Sequence, residues 1–223
     1  MTSRILVTGG ARSGKSRWAE QRLGRQPVRY VATGYPPGED VEWAARVELH
    51  RQRRPGAWET IETADAATVL RTPDARPVLV DCVTLWLTRV LDEADAWQRP
   101  AGLDRVAHRV DDLVSAFVGS AATAVLVTNE VGWGVVPPTP AGRLFADLLG
   151  ATNARLAEAA DQVVLTVAGQ PLQIKPSQPA APQPAAPQPN QPQPTAPQPN
   201  QPQPAAPQPN QPQPNQPARG PHV

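Results

Sequence analysis

The sequence is poor in the residues that several protein classes depend on. Its 223 residues include one cysteine, Cys82, which excludes an intramolecular disulfide framework and a zinc site built on cysteines. No apolar run approaches the roughly 18–20 residues that a membrane-spanning helix needs. Charge of one sign is also missing in excess: 21 Lys and Arg face 20 Asp and Glu. A general nucleic-acid binder would carry a basic surplus. The opening MTSRILVTGG lacks the basic patch, long apolar stretch and small-residue cleavage site of a secretory signal. The expectation is a cytoplasmic protein with no nucleic-acid partner and no membrane span.

What is present is unevenly distributed. From Pro176 onward there are 18 prolines in 48 residues, and Arg219 is the only Lys, Arg, Asp or Glu. Residues 1–175 hold the other 11 prolines and a balanced set of 20 basic and 20 acidic side chains, an ordinary one-domain segment. The segment 176–223 repeats AAPQPNQPQP, TAPQPNQPQP and AAPQPNQPQP over 185–214. Its apolar residues are almost all Ala or Pro, which offer too little burial to offset chain ordering, so a disordered Pro/Gln/Asn-rich tail is expected. Such a stretch favours polyproline II and could serve a proline-binding partner or act as a spacer. The plainer reading is a solvated extension from repeat expansion, and no chemistry is assigned to it.

Within 1–175, apolar runs at 5–8, 28–33, 58–61, 78–82, 123–128 and 163–167 alternate with amphipathic stretches. Those stretches lie near 15–24, 40–54, 64–71, 83–95, 103–118 and 139–160. The alternation predicts an α/β fold, a mostly parallel sheet with helices on both faces. Ligands bind such sheets at the carboxyl ends of the strands, which directs attention to the loops after residues 8, 33, 82 and 128.

The first of these loops is the most informative. Gly9-Gly10-Ala11-Arg12-Ser13-Gly14-Lys15-Ser16 satisfies G-x-x-x-x-G-K-[ST], and it follows an apolar strand and opens a helix. The glycines let successive N–H groups converge on an anion, and the helix adds its positive end. Lys15 can bridge β- and γ-phosphates, and the Ser16 hydroxyl can ligate Mg²⁺. The segment reads as a nucleoside triphosphate site. Such sites also need a carboxylate at the end of a neighbouring buried strand. Val78-Leu-Val-Asp81 supplies one, although a helix cap or a solvated strand end would show the same pattern. Cys82 beside it reads as a buried thiol.

A second stretch stands out. On a helix, Arg46, His50 and Arg54 are spaced four apart and share one face, with Arg53 adjacent and Pro55 ending the run. Guanidinium neighbours disfavour the charged imidazole, and a neutral imidazole can attack phosphorus while arginines hold the phosphates. A solvated Arg-rich face with an incidental histidine is the bland alternative. His108 lies mid-helix and reads as a packing or surface residue.

GGARSGKS, RVELHRQRRP, VLVDCVTLWLT, VTNEVGWGVVP at 127–137 and NARLAEAADQVVLTVAGQPLQIK at 153–175 form one ordered set. Together they resemble the bifunctional adenosylcobinamide kinase / adenosylcobinamide-phosphate guanylyltransferase family of cobalamin biosynthesis, over about residues 4–175. The tail and the Trp-bearing insertion near 92–102 fall outside that pattern.

The resemblance implies a P-loop NTPase fold of the RecA-like kind and two reactions at one nucleotide site, with ATP and GTP as substrates and Mg²⁺ as cofactor. A phosphoryl group passes from ATP or GTP to adenosylcobinamide. GTP then gives GMP to adenosylcobinamide phosphate, yielding adenosylcobinamide-GDP and pyrophosphate. A covalent GMP–histidine intermediate is implied, and the motif histidine maps onto His50. Nucleotide contacts map onto Gly9 to Ser16, onto Thr33, Gly34 and Tyr35, onto Arg51, Gln52, Arg53 and Arg54, and onto Glu62 and Asp81. Ser16 and Asp81 map onto metal-side positions. The resemblance further implies a homotrimer. In VTNEVGWGVVP, Asn129 and Glu130 would face the nucleotide and Gly132 and Gly134 would let the corrinoid approach, or the segment is a structural turn.

Two rivals remain at this level. A P-loop kinase for another small molecule would use Lys15 and Asp81 but not His50. A GTP-binding scaffold would work through its proline-rich tail, so removing 176–223 would abolish its activity.

Overall fold

The computed structural model describes residues 2–176; the proline-rich repeats and the expected disorder there lie outside the described residues. In chain order the elements are β1 (Arg4–Gly9), α1 (Lys15–Leu23), β2 (Arg29–Ala32), α2 (Val41–Arg53), β3 (Glu59–Glu62), α3 (Ala66–Arg71) and β4 (Val78–Asp81). There follow α4 (Val83–Glu93), a single 3-10 turn (Pro100–Gly102), α5 (Leu103–Val118), β5 (Ala124–Val127), α6 (Pro140–Ala159), β6 (Gln162–Val167) and β7 (Gln170–Lys175). The strands form one sheet in the order β3-β2-β4-β5-β1-β6-β7. All pairs are parallel except β6–β7.

The strand pattern explains the two cores. Successive side chains on a strand point to opposite faces. Leu6, Val31, Val78, Val80 and Leu126 therefore pack on one side with Leu70, Trp86, Leu87, Leu113, Phe117, Leu149 and Leu156 of α3 to α6. Ile5, Val7, Tyr30, Leu79, Val125 and Val127 face the other side, against Ala19 and Leu23 of α1 and Trp58. Helices cover both faces, but unequally: α2 buries none of its residues. Trp86, fully buried, also donates its indole N–H to the Ala64 carbonyl at 2.9 Å, whereas the buried indole N–H of Trp58 has no partner.

Helix starts follow local chemistry. Asp40 caps α2, Asp65 caps α3, and Thr139 caps α6 ahead of Pro140 at the first helical position. Helix α1, like α4 and α5, starts without a side-chain cap, and Gly14 precedes it at φ 96°. Its first N–H groups are thus left to an outside acceptor.

Two features depart from expectation. Asp81 is not on a strand adjacent to β1, because β5 lies between β1 and β4. And β7 is an additional strand, whose Pro171 and polar flanks hid it. It lies at the sheet edge, where a missing N–H is tolerated.

Candidate active site

The carboxyl ends of β1, β2 and β4 open into a cavity lined by Lys15, Ser16, Tyr30, Gly34, Tyr35, Trp43, Arg46, His50, Arg54, Glu62, Asp81, Cys82 and Asn129, among others. From the G-x-x-x-x-G-K-[ST] segment, Lys15 and Ser16 reach it. Lys15 Nζ donates to the Gly10 carbonyl at 3.0 Å. Burial lowers the Lys15 pKa, with Asp81 opposing that shift and Arg46 adding to it.

The loop is held from behind by the last hairpin. Ser13 Oγ lies 2.8 Å from Thr166 Oγ1, and the Gly169 N–H donates to the Ser13 carbonyl at 3.0 Å. A Cβ on Gly9 would stand 2.5 Å from the Thr166 carbonyl oxygen, so glycine is required there by contact alone. Ala11 and Arg12 are exposed at the loop's tip.

Asp81 is the centre of the polar network. Ser16 Oγ donates to its Oδ1 at 3.3 Å and Tyr30 Oη to its Oδ2 at 3.0 Å. His50 Nδ1 stands 3.7 Å from the same Oδ2. The imidazole also meets Arg53 Nη2 at 3.2 Å, a contact in which the guanidinium can only donate. Burial is the chief cause that pushes the His50 pKa below its ordinary value. Asp81 opposes it, and Arg53, Arg46 and Arg54 add to it. The neutral ring expected from sequence is therefore supported, with burial ahead of the arginines as its cause.

The remaining sequence candidates divide into those at the cavity and those beside it. Gly34 and Tyr35 line it, whereas Thr33 is buried with Oγ1 donating to the Cys82 carbonyl at 2.7 Å. A Cβ on Gly34 would meet Trp43 and Leu85 at 3.1 Å, so this glycine lets the indole close on the cavity wall. Arg54 lines the cavity with its guanidinium 4.0 Å over the Tyr30 ring. Arg51 pairs with Glu48 and with Glu62 at 3.6 Å, Gln52 donates to Glu48, and Arg53 pairs with Glu20 at 3.2 Å. Cys82 is a buried free thiol whose pKa burial raises to about 11, which makes it inert. His108 is exposed, as expected.

Asn129 and Glu130 behave differently from one another. Asn129 lines the cavity. Glu130 accepts from Thr8 Oγ1 at 2.6 Å and so ties its loop to β1. Beyond them Trp133, Val135 and Val136 are exposed, and a Cβ on Gly132 or Gly134 would meet nothing within 4 Å.

Three participants escape a reading of motifs: Tyr30, Glu20 and Trp43. Glu20 had a legible signal, since it follows Ser16 by four residues and so stands beneath it on α1. Among the described residues, Glu20, His50 and Asp81 offer ligand atoms within 4.8 Å of one another. Arg53 already occupies Glu20, and burial still raises its pKa despite that pairing.

A sequence model described as cobinamide kinase / cobinamide phosphate guanyltransferase matches residues 5–174. The chain belongs to this family. Curated relatives agree with the match. The chain is 42% identical over 181 residues to the bifunctional adenosylcobalamin biosynthesis protein CobU of Escherichia coli (strain K12), covering 77% of this chain and 99% of that protein. It is 41% identical to the protein of the same name from Salmonella typhimurium, over the same shares. It is 40% identical to the bifunctional adenosylcobalamin biosynthesis protein CobP of Pseudomonas aeruginosa, covering 77% and 97%. The cobinamide kinase / guanyltransferase match thus takes in every element from β1 to β7.

Proposed function

We propose that this chain carries out both reactions for which its family is named, at the single cavity described. In the first, the terminal phosphoryl group of ATP or GTP passes to the hydroxyl on the aminopropanol arm of adenosylcobinamide. In the second, a His50 imidazole nitrogen attacks the α-phosphorus of GTP. A P–N bond forms, the bond to the α–β bridging oxygen breaks, and pyrophosphate leaves. A phosphate oxygen of adenosylcobinamide phosphate then attacks the same phosphorus. The P–N bond breaks, and adenosylcobinamide-GDP is released with His50 restored.

One observation carries this reading: His50, Asp81, Lys15 and Ser16 line one cavity, with His50 Nδ1 3.7 Å from Asp81 Oδ2. A kinase alone would have no use for a neutral, half-buried imidazole beside its phosphate loop. The loop N–H groups and Lys15 bind the phosphates, Tyr35 and Trp43 wall the cavity, and burial keeps His50 unprotonated for attack.

Ser16 and Asp81 also suit Mg²⁺. Their oxygens lie 3.3 Å apart, both are hard donors, and a small set of protein ligands leaves phosphate oxygens to complete the shell. Bound there, the ion would neutralise charge on the transferring phosphates. The same reading includes a cytoplasmic homotrimer, which sedimentation of the purified protein would check.

The test is incubation of purified protein with Mg²⁺ and GTP labelled at the α-phosphate, followed by denaturing electrophoresis. Label that stays on the protein, resists alkali, is lost in acid and is absent from His50→Ala supports the proposal. Absence of label with nucleotide binding intact removes the guanylyl step and leaves a kinase.

A further inference from the structure

Four arginines surround His50, at positions 46, 51, 53 and 54, and any of them could in charge terms hold a phosphate. Three are engaged by the protein itself. Arg51 pairs with Glu48 and Glu62, and Arg53 with Glu20. Arg54 gives Nη1 to Thr60, Nε to the His50 carbonyl and its flat face to Tyr30.

Arg46 stands apart. Among the described residues it forms none of the ion pairs, and its guanidinium lies 5.9 Å from the Trp43 ring centroid, the outer limit of a cation–π contact. It is exposed, it lines the cavity, and it precedes His50 by four residues, so the two share a face of α2. Its charge is felt at both ends of the site, disfavouring the protonated forms of Lys15 and of His50. A cation held close to two other basic groups, without a carboxylate of its own, is placed for an anion that arrives with the substrate.

We infer that Arg46 is the catalytic cation of guanylyl transfer, donating to the non-bridging oxygens of the phosphorus that becomes joined to His50. This rests on the reading that His50 carries GMP. Arg46 stays protonated and makes or breaks no covalent bond. Its N–H groups tighten on those oxygens as charge gathers in the five-coordinate transition state, both when the P–N bond forms and when it breaks. In the kinase step the reacting phosphorus is the γ-phosphorus over the loop. There Arg46 touches the α-phosphate equally before and during reaction, which contributes binding but not rate.

The experiment compares full-length wild type, Arg46→Gln and Arg46→Lys, with circular dichroism confirming that each is folded. Single-turnover transfer of α-labelled GTP to protein is timed beside steady-state phosphorylation of adenosylcobinamide by ATP. Arg46→Gln is expected to slow labelling by about 10²–10³-fold, Arg46→Lys to recover part of the loss, and the kinase kcat to fall at least about tenfold less than labelling does while its KM rises. Labelling of Arg46→Gln within about threefold of wild type overturns the inference, as does an equal fall in kinase kcat and labelling rate. Wild type that takes no label overturns the His50 reading itself, and the inference with it.

Discussion

The Tyr30 hydroxyl donates to Asp81 Oδ2 across 3.0 Å, and so fixes a carboxylate whose other oxygen accepts from Ser16. Tyr30 is nearly fully buried, packed against Trp58 and beneath Arg54. One ring therefore braces both the Asp81 carboxylate and the end of the helix that bears His50. Tyr30→Phe keeps the ring and its packing but removes one hydrogen bond to an ionised acceptor. The expected outcome is a kinase kcat lower by about tenfold and a higher half-saturating Mg²⁺ concentration, with a near-native melting temperature. Magnesium titrations of both proteins check this; an unchanged half-saturation would contradict it.

Two adjacent glycines should respond oppositely to alanine. At Gly9 the new methyl would lie 2.5 Å from the Thr166 carbonyl oxygen and 2.6 Å from Ser13 Oγ, whereas at Gly10 nothing lies within 4 Å. Gly9→Ala should destabilise the fold by about 1–3 kcal/mol, and Gly10→Ala should stay within about 0.5 kcal/mol. Urea unfolding without nucleotide measures both.

The protonation of His50 sets an acid limit. Its pKa lies below the ordinary 6.5, chiefly through burial, with Asp81 opposing and Arg53, Arg46 and Arg54 assisting. The unfolded chain binds this proton more readily, so between the two pKa values the unfolded state holds more protons. Stability from this group is therefore complete above 6.5 and is lost as pH falls toward the folded-state value. Labelling by GTP needs the neutral ring, and its rate should fall at acid pH with a midpoint below 6.5. A midpoint at or above 6.5 in the pH–rate profile would count against the placement of the ring.

Deleting 176–223 should leave both activities within about twofold, because the family match ends at 174 and β7 at Lys175. Parallel kinetics of the two proteins decide this. A large loss after deletion would favour a scaffold that works through its repeats.

What the sequence made legible was local. Gly9 to Ser16 announce themselves because a phosphate loop needs glycines, a lysine and a hydroxyl at fixed spacing within eight residues. Arg46, His50 and Arg54 fall on one face by helix period alone. Non-local facts stayed hidden. The Tyr30 hydroxyl points at Asp81 only because β2 and β4 pair with Tyr30 opposite Leu79 and Ala32 opposite Asp81. No periodicity reports that register. Likewise, the carboxylates that Arg51 and Arg53 meet, Glu62 and Glu20, lie on other elements, and the helix period of α2 does not report them.

The grip of the final hairpin on the phosphate loop bears on how the protein is made. Ser13 and Thr166 are 153 positions apart, and β1 pairs with β6 from Ile5 to Gly9. During synthesis from the N-terminus the nucleotide loop emerges first, yet the strand and turn that shape it are the last parts of the sheet to emerge. A ribosome-bound chain halted before β6 would hold the complete G-x-x-x-x-G-K-[ST] sequence without the backing that positions it. Competence to bind nucleotide should thus arrive late and all at once, after the hairpin clears the exit tunnel.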